Sequence, residues 1–174
     1  MSESGSSADG SLLDPDRFRE FYDRAVPVVY GYFFKRVGGA AVAADLTQET
    51  FVSAVRTLRR GAVVETPMPW IVSIARRRLV DHFRSRTKAS MSETGQATGA
   101  DDRSTWTSAA EARIVEAMSH LSNDHQLALV LRYVDDLTVT DVAAAMGRSV
   151  RATESVLVRA RAALTAAYAE APGG

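Results

Sequence analysis

The chain has 174 residues, 46% of them hydrophobic and 24% charged, which supplies a core for one compact domain or two small ones and excludes a wholly disordered protein. Cysteine is absent, so disulfide frameworks, zinc-thiolate sites and thiol nucleophiles are excluded together. The 21 basic and 21 acidic residues cancel, which argues against a non-specific coat for nucleic acid and makes the distribution of charge the informative quantity.

The stretch from Met1 to Ser11 carries no Lys or Arg and no apolar run, so it lacks both parts of a secretory signal, and residues 1–13 read as a disordered tail. No stretch approaches the roughly 20 apolar residues of a membrane-spanning helix, so no membrane insertion is expected and the expected location is cytoplasmic. Phe18, Tyr22, Val26, Val29, Phe33 and Val37 then recur at the spacing of one helical face. Asp14-Pro15 supplies a cap and a proline for the first helical position, and Gly38-Gly39 closes the segment. Pro27 inside it predicts a kink or a short break.

A second helix is predicted from about residue 40 to 58, with Val42, Leu46, Phe51, Val55 and Leu58 apolar and a polar patch at Asp45, Gln48 and Glu49. Residues 61–69, with Pro67 and Pro69, read as a loop of the length that usually carries a function. A third helix starts near Trp70, its apolar stripe being Ile71, Ile74, Ala75, Leu79 and Phe83. From Arg76 to Lys88 it carries six cations, Arg76, Arg77, Arg78, Arg84, Arg86 and Lys88, against the single acid Asp81. Such a face is either solvated or a seat for a nucleic-acid backbone, and Trp70 beside it is either a core anchor or a base-stacking side chain.

Residues 89–107 shift to Ser, Thr, Gly, Ala and Asp and read as a flexible linker. It separates a helical domain over 14–88 from a second over 108–170, each small for an independent core. The expected fold class is therefore all-α, two small helical domains on a linker. The second domain is read as helices from Ala109 to Met118, from Asn123 to Tyr133 after a Ser122 cap, from Val139 to Met146, and from Val150 to about Tyr168. Thr138 with Asp141 resembles a capping box, Gly147 suits a left-handed helix end, and Ser149 suits the next cap.

The last two helices, joined by a three-residue turn, have the layout of a helix-turn-helix, with Val142, Ala143, Met146, Val150, Val156, Leu157, Ala160 and Leu164 as its interior. On that reading the second helix enters the major groove and presents Arg151, Thr153, Glu154 and Ser155, with Thr140, Arg148, Ser149, Arg159 and Arg161 around them. An ordinary two-helix piece of a bundle is the plain alternative. Catalytic and metal-binding residues are not found: His82, His120 and His125 lack the spacing of a helical metal pair, and no phosphate loop or nucleophile elbow occurs. No cofactor is expected, and an enzyme is not.

The segments Asp45-Leu46-Thr47-Gln48-Glu49-Thr50-Phe51, Trp70-Ile71-Val72-Ser73-Ile74-Ala75-Arg76 and Asp81-His82-Phe83-Arg84 occur in that order. They are followed by Leu131-Arg132-Tyr133, Asp141-Val142-Ala143, Gly147 and Arg159-Ala160-Arg161-Ala162-Ala163-Leu164. In order and spacing the chain resembles the extracytoplasmic-function group of bacterial sigma factors from about Phe18 to Tyr168. The resemblance implies that 14–88 is the region 2 domain and 108–170 the region 4 domain, with core RNA polymerase and promoter DNA as partners and an anti-sigma factor as a candidate further one. Asp45, Leu46, Gln48 and Glu49 would bind polymerase; the 61–69 loop, Trp70, Arg76, Arg77, Arg78, Asp81, His82, Arg84 and Arg86 would serve the minus-ten region; the helix-turn-helix would take the minus-thirty-five element. Arg77 stands where members usually carry Asn, and Glu154, Val156 and Val158 stand where many carry Lys, Arg or His. The rival reading is a stand-alone helix-turn-helix regulator of duplex DNA, which accounts for the second domain but not for the arginine-rich helix behind a long loop. The end at Ala171-Pro172-Gly173-Gly174 leaves no additional C-terminal regulatory domain expected.

Overall fold

A computed structural model describes residues 12–37, 39–92 and 109–170, leaving aside the side chains of 90–92 and 109. The expected N-terminal tail up to Ser11 and the linker over 93–107 lie outside the described residues. Seven α-helices and one π-helical turn make up the secondary structure described, with no strand among those residues. The fold class is all-α.

Helix α1 covers Pro15–Val37. Asp14 opens it, its Oδ1 accepting from the backbone N–H groups of Asp16 and Arg17 at 3.1 and 3.0 Å, which satisfies donors that the helix cannot. The kink or break expected at Pro27 is corrected in part, because the helix runs unbroken through it. Pro27 is on the exposed side, as is Asp23, so the carbonyl that loses its partner faces water. The core face is also rotated from the expected stripe. Phe21, Ala25, Val29 and Phe33 are buried at strict four-residue spacing, while Tyr22 is exposed.

Helix α2 covers Ala40–Arg59 and buries Ala43, Leu46, Thr47, Thr50, Phe51, Ala54 and Leu58. The two buried threonines return their hydroxyls to the carbonyls of Ala43 and Leu46 at 2.7 Å, so neither is left unsatisfied. Tyr22 and Phe51 meet edge to face at 4.7 Å, joining α1 to α2. Gly61, at φ +89°, ends α2 by donating to Leu58 O at 2.9 Å. Helix α3, Pro67–Ser92, starts at the first of the two prolines rather than near Trp70, since proline costs nothing in a first turn whose N–H groups are unpaired anyway.

Helices α4 (Ala109–Ser119) and α5 (Asn123–Leu129) are followed by a π-helical turn over Val130–Val134, then by α6 (Val139–Met146) and α7 (Val150–Glu170). The expected single helix to Tyr133 thus changes its winding at Val130, with Asp135 N donating to Val130 O at 3.0 Å and Asp136 at φ +51° turning the chain out. Leu121, Leu129 and Ala160 form a core cluster, against which Met118, Ala163, Leu164 and Ala167 pack. Arg113 closes the α4 side, its guanidinium 4.4 Å from the Tyr168 ring centroid and Nη2 donating to Tyr168 O at 3.1 Å.

By proximity the chain forms two units, one of Met1–Lys35 with Ala41–Arg78, the other of Arg36–Ala40 with Leu79–Gly174. Inside the second unit, Arg36 donates from Nε and Nη2 at 2.8 and 2.6 Å to Oδ1 of Asp135, whose side chain is 1% exposed. A carboxylate buried that far needs its partner, because removing one member of such a pair strands the other charge.

Candidate nucleic-acid interface

The helix-turn-helix is built by local rules. Thr138 caps α6, its Oγ1 accepting from Asp141 N at 3.2 Å while donating to Asp141 Oδ2 at 2.6 Å. At the other end Gly147, at φ +65°, donates to Ala144 O at 3.2 Å and Arg148 N donates to Ala143 O at 2.9 Å, the paired bonds of a Schellman motif. Ser149 Oγ then accepts from Ala152 N at 3.2 Å and opens α7. Val142, Ala143 and Met146 of α6 and Thr153, Val156, Leu157 and Ala160 of α7 are buried. Ala143 is buried on α6, and Ala160 of α7 is buried with Leu121 and Leu129.

This packing sorts the expected DNA contacts. Thr140, Arg148, Ser149, Arg151, Glu154, Ser155, Arg159 and Arg161 are all exposed. Thr153 departs from expectation: it is 0% exposed and its hydroxyl donates to Ser149 O at 3.0 Å, so it belongs to the interior of the motif. Val150, expected inside, is exposed instead, and Val156 is buried. Several of the exposed groups are already engaged. Arg148 pairs with Asp124, Arg161 Nη1 lies 3.5 Å from the Tyr133 hydroxyl, and Arg159 Nε donates to Ser155 O at 3.2 Å.

On α3 the exposed line is Ser73, Arg77, Asp81, Arg84 and Lys88, at near four-residue spacing. Trp70, Arg76, Arg78, His82 and Arg86 are half-buried. Arg78, expected to face nucleic acid, turns onto α2, donating to Ser53 Oγ with Nη1 3.9 Å from Glu49 Oε2. Arg84 Nη2 donates to Ala145 O at 2.8 Å. Burial lowers the pKa of His82, and Arg86 one turn on pushes it the same way by repelling a second positive charge. Burial also lowers that of Arg86.

On α2, Asp45, Gln48 and Glu49 form an exposed polar face. Leu46, read both as an apolar position of this helix and as a polymerase contact, is only 6% exposed, so it lies on the core side beneath that face. Sequence reasoning did not single out two exposed valines, Val52 beside that face and Val63 in the loop before α3, whereas Val158 on α7, where many family members carry a cation, is exposed as well. The signal for Val52 was an apolar residue out of phase with its helix's stripe. Among the described residues no group of His, Asp and Glu is placed to hold a metal ion, and no helix is long and apolar enough to cross a membrane.

An all-helical chain whose second unit presents a capped, glycine-turned pair of helices belongs to the class of helix-turn-helix proteins. Comparison with known proteins narrows the class. The Sigma-70 region 2 profile matches residues 21–89 and the Sigma-70, region 4 profile residues 111–164. The chain is 30% identical over 139 residues to the RNA polymerase sigma factor CarQ of Myxococcus xanthus, a match covering 77% of this chain and 79% of that one. It is 31% identical over 154 residues to the ECF RNA polymerase sigma factor BldN of Streptomyces coelicolor, covering 84% of this chain but 58% of BldN's length. In fold it is similar to the sigma factor RpoE of Bartonella quintana, solved in complex with the anti-sigma factor NepR, at a TM-score of 0.59 and 20% identity over 89% of this chain and 98% of that one. The chain belongs to the extracytoplasmic-function group of the sigma-70 family, the factors that direct RNA polymerase to promoters.

Proposed function

We propose that residues 14–88 act as a region 2 domain and residues 108–170 as a region 4 domain, joined by a linker, and that the two carry unequal parts of promoter recognition. The observation that supports this most is the succession of the two matched regions along one chain, at 21–89 and 111–164. In this reading Asp45, Gln48 and Glu49 meet core RNA polymerase. The loop before α3 and the outward line of that helix, Arg77, Asp81 and Arg84, face the minus-ten region, with Trp70, Arg76, His82 and Arg86 half-buried behind it.

Melting a duplex requires capture of an unstacked base, at a cost of about a few kcal/mol per base, and engagement with the large polymerase assembly offsets it. Catalysis rests with the polymerase, and the protein acts in the cytoplasm, where the polymerase is. Zero net charge fits DNA binding that depends on the polymerase, since the chain alone has little long-range attraction for phosphate. An anti-sigma factor is a further candidate partner on the strength of the family. The stand-alone regulator reading finds no support among the relatives.

The test is reconstitution of the full chain with purified bacterial core RNA polymerase on a candidate promoter. Initiation is expected only when the chain is added, with weak binding to duplex DNA by the chain alone. Tight sequence-specific binding without polymerase, and no polymerase-dependent initiation, would sink the reading.

A further inference from the structure

Which side chains of α7 read the bases is decided by which remain uncommitted. Thr153 is buried, Ser149 is used as a cap, and the hydroxyl of Ser155 donates to Arg151 O at 3.1 Å. Arg148 and Arg161 are held by Asp124 and Tyr133. In the first two turns this leaves Arg151 and Glu154 as exposed charged side chains with no partner among the described residues.

Positions 151, 155, 158 and 162 fall on one line of the helix, opposite buried Thr153, Val156, Leu157 and Ala160. Val158 therefore sits at the centre of the outward face, and it is 56% exposed. A lone exposed valine needs no explanation. This one lies where a helix-turn-helix points its second helix into the major groove, one turn beyond Glu154. A helical turn advances about 5.4 Å, so the two side chains span adjoining base pairs, which rise about 3.4 Å each.

The groove offers these two groups few matches. The apolar group it displays is the thymine 5-methyl, which suits Val158. A carboxylate accepts only, so it is repelled by the acceptors of guanine and by N7 and thymine O4 on either side of the adenine amino group, whereas the cytosine amino group donates to it with an acceptor, guanine O6, on one side only. We infer that Glu154 and Val158 are the specificity-determining pair of the recognition helix, Glu154 selecting cytosine and Val158 the methyl face of a thymine in an adjoining base pair. Arg151 holds a phosphate or purine edge beside them. This rests on the region 4 reading of the second domain.

The test uses holoenzyme reconstituted from the full chain and core polymerase on a library randomised across the minus-thirty-five element, read by initiation and by binding. The unsubstituted chain is expected to select cytosine beside thymine, and uracil in place of that thymine should weaken it several-fold. Glu154→Gln should move the preference from cytosine towards adenine, with about a tenfold change in the ratio, because a glutamine amide pairs with the adenine edge. Val158→Ala should make thymine and uracil nearly equivalent. Both side chains are exposed, so core-polymerase binding of the variants serves as the check on folding. A minus-thirty-five preference that persists unchanged in both variants overturns the pair. No minus-thirty-five dependence in the unsubstituted chain overturns the region 4 reading itself, and the pair with it.

Discussion

Thr138 and Asp141 bond each other twice: the hydroxyl of Thr138 accepts from the amide of Asp141 and donates to its carboxylate. The pair fixes where α6 begins. Thr138→Ala is expected to lower the stability of the second unit by about 1 kcal/mol, several degrees of Tm, and Thr138→Ser to lower it much less. Thermal unfolding followed by circular dichroism measures both. Equal losses for the two variants would show that the methyl group, not the hydroxyl, matters.

At the far end of α6, Gly147 holds a left-handed backbone at φ +65° that a side chain resists. A Cβ there would also lie 3.1 Å from Nη2 of Arg84, a flexible group able to give way by a few tenths of an ångström. Gly147→Ala is expected to cost about 1 kcal/mol of unfolding free energy, and Gly147→Asn less, since asparagine tolerates the left-handed region. Urea denaturation of the two variants side by side orders them, and a more stable alanine variant would contradict the strain argument.

His82 gives a pH dependence with a definite sign. Its pKa is lowered in the fold, by burial first and by Arg86 second, while the unfolded chain keeps the ordinary value near 6.5. The fold therefore favours the neutral ring; the contribution is fully present above pH 6.5 and is lost as pH falls through the lowered pKa. Stability is expected to decline on acidification from pH 7.5 to 6, and to decline less in His82→Gln. Identical pH profiles for the two proteins would remove His82 from the account.

The exposed face of α2 is expected to tolerate charge reversal as a fold and not as a partner surface. Asp45→Lys with Glu49→Lys should leave the far-UV circular dichroism unchanged, because both side chains are exposed, while reducing affinity for core polymerase about tenfold or more. Undiminished affinity in a pull-down or titration would take both residues out of that interface. A third variant, Leu46→Ala, separates anchoring from contact: it should lower stability by about 2–5 kcal/mol, as truncation of a buried leucine does.

Features whose physics closes within a turn of chain were legible in the sequence. The Asp14, Ser122, Thr138 and Ser149 caps and the glycine ends at Gly61 and Gly147 all depend on bonds to residues two to five positions away, and all stand where the residue types put them. The helix-turn-helix and the polar face of α2 follow from such signals together with helical periodicity. The order of the motifs along the chain is itself enough to point to the sigma-factor family.

What only the tertiary structure decided is which side of each helix meets a neighbour. Phe21 rather than Tyr22 lines the core of α1, Thr153 faces inward where its neighbours face out, and Arg78 is drawn to Ser53 and Glu49 on α2. Periodicity fixes a stripe only to within a residue or so, and a polar side chain's partner 25 positions away leaves no trace in its own sequence neighbourhood. Packing settles both, because each helix rotates until its largest apolar side chains and its buried hydroxyls are satisfied together. The same rotation turns Val158 outward beside Glu154, a placement that the residue types alone do not dictate.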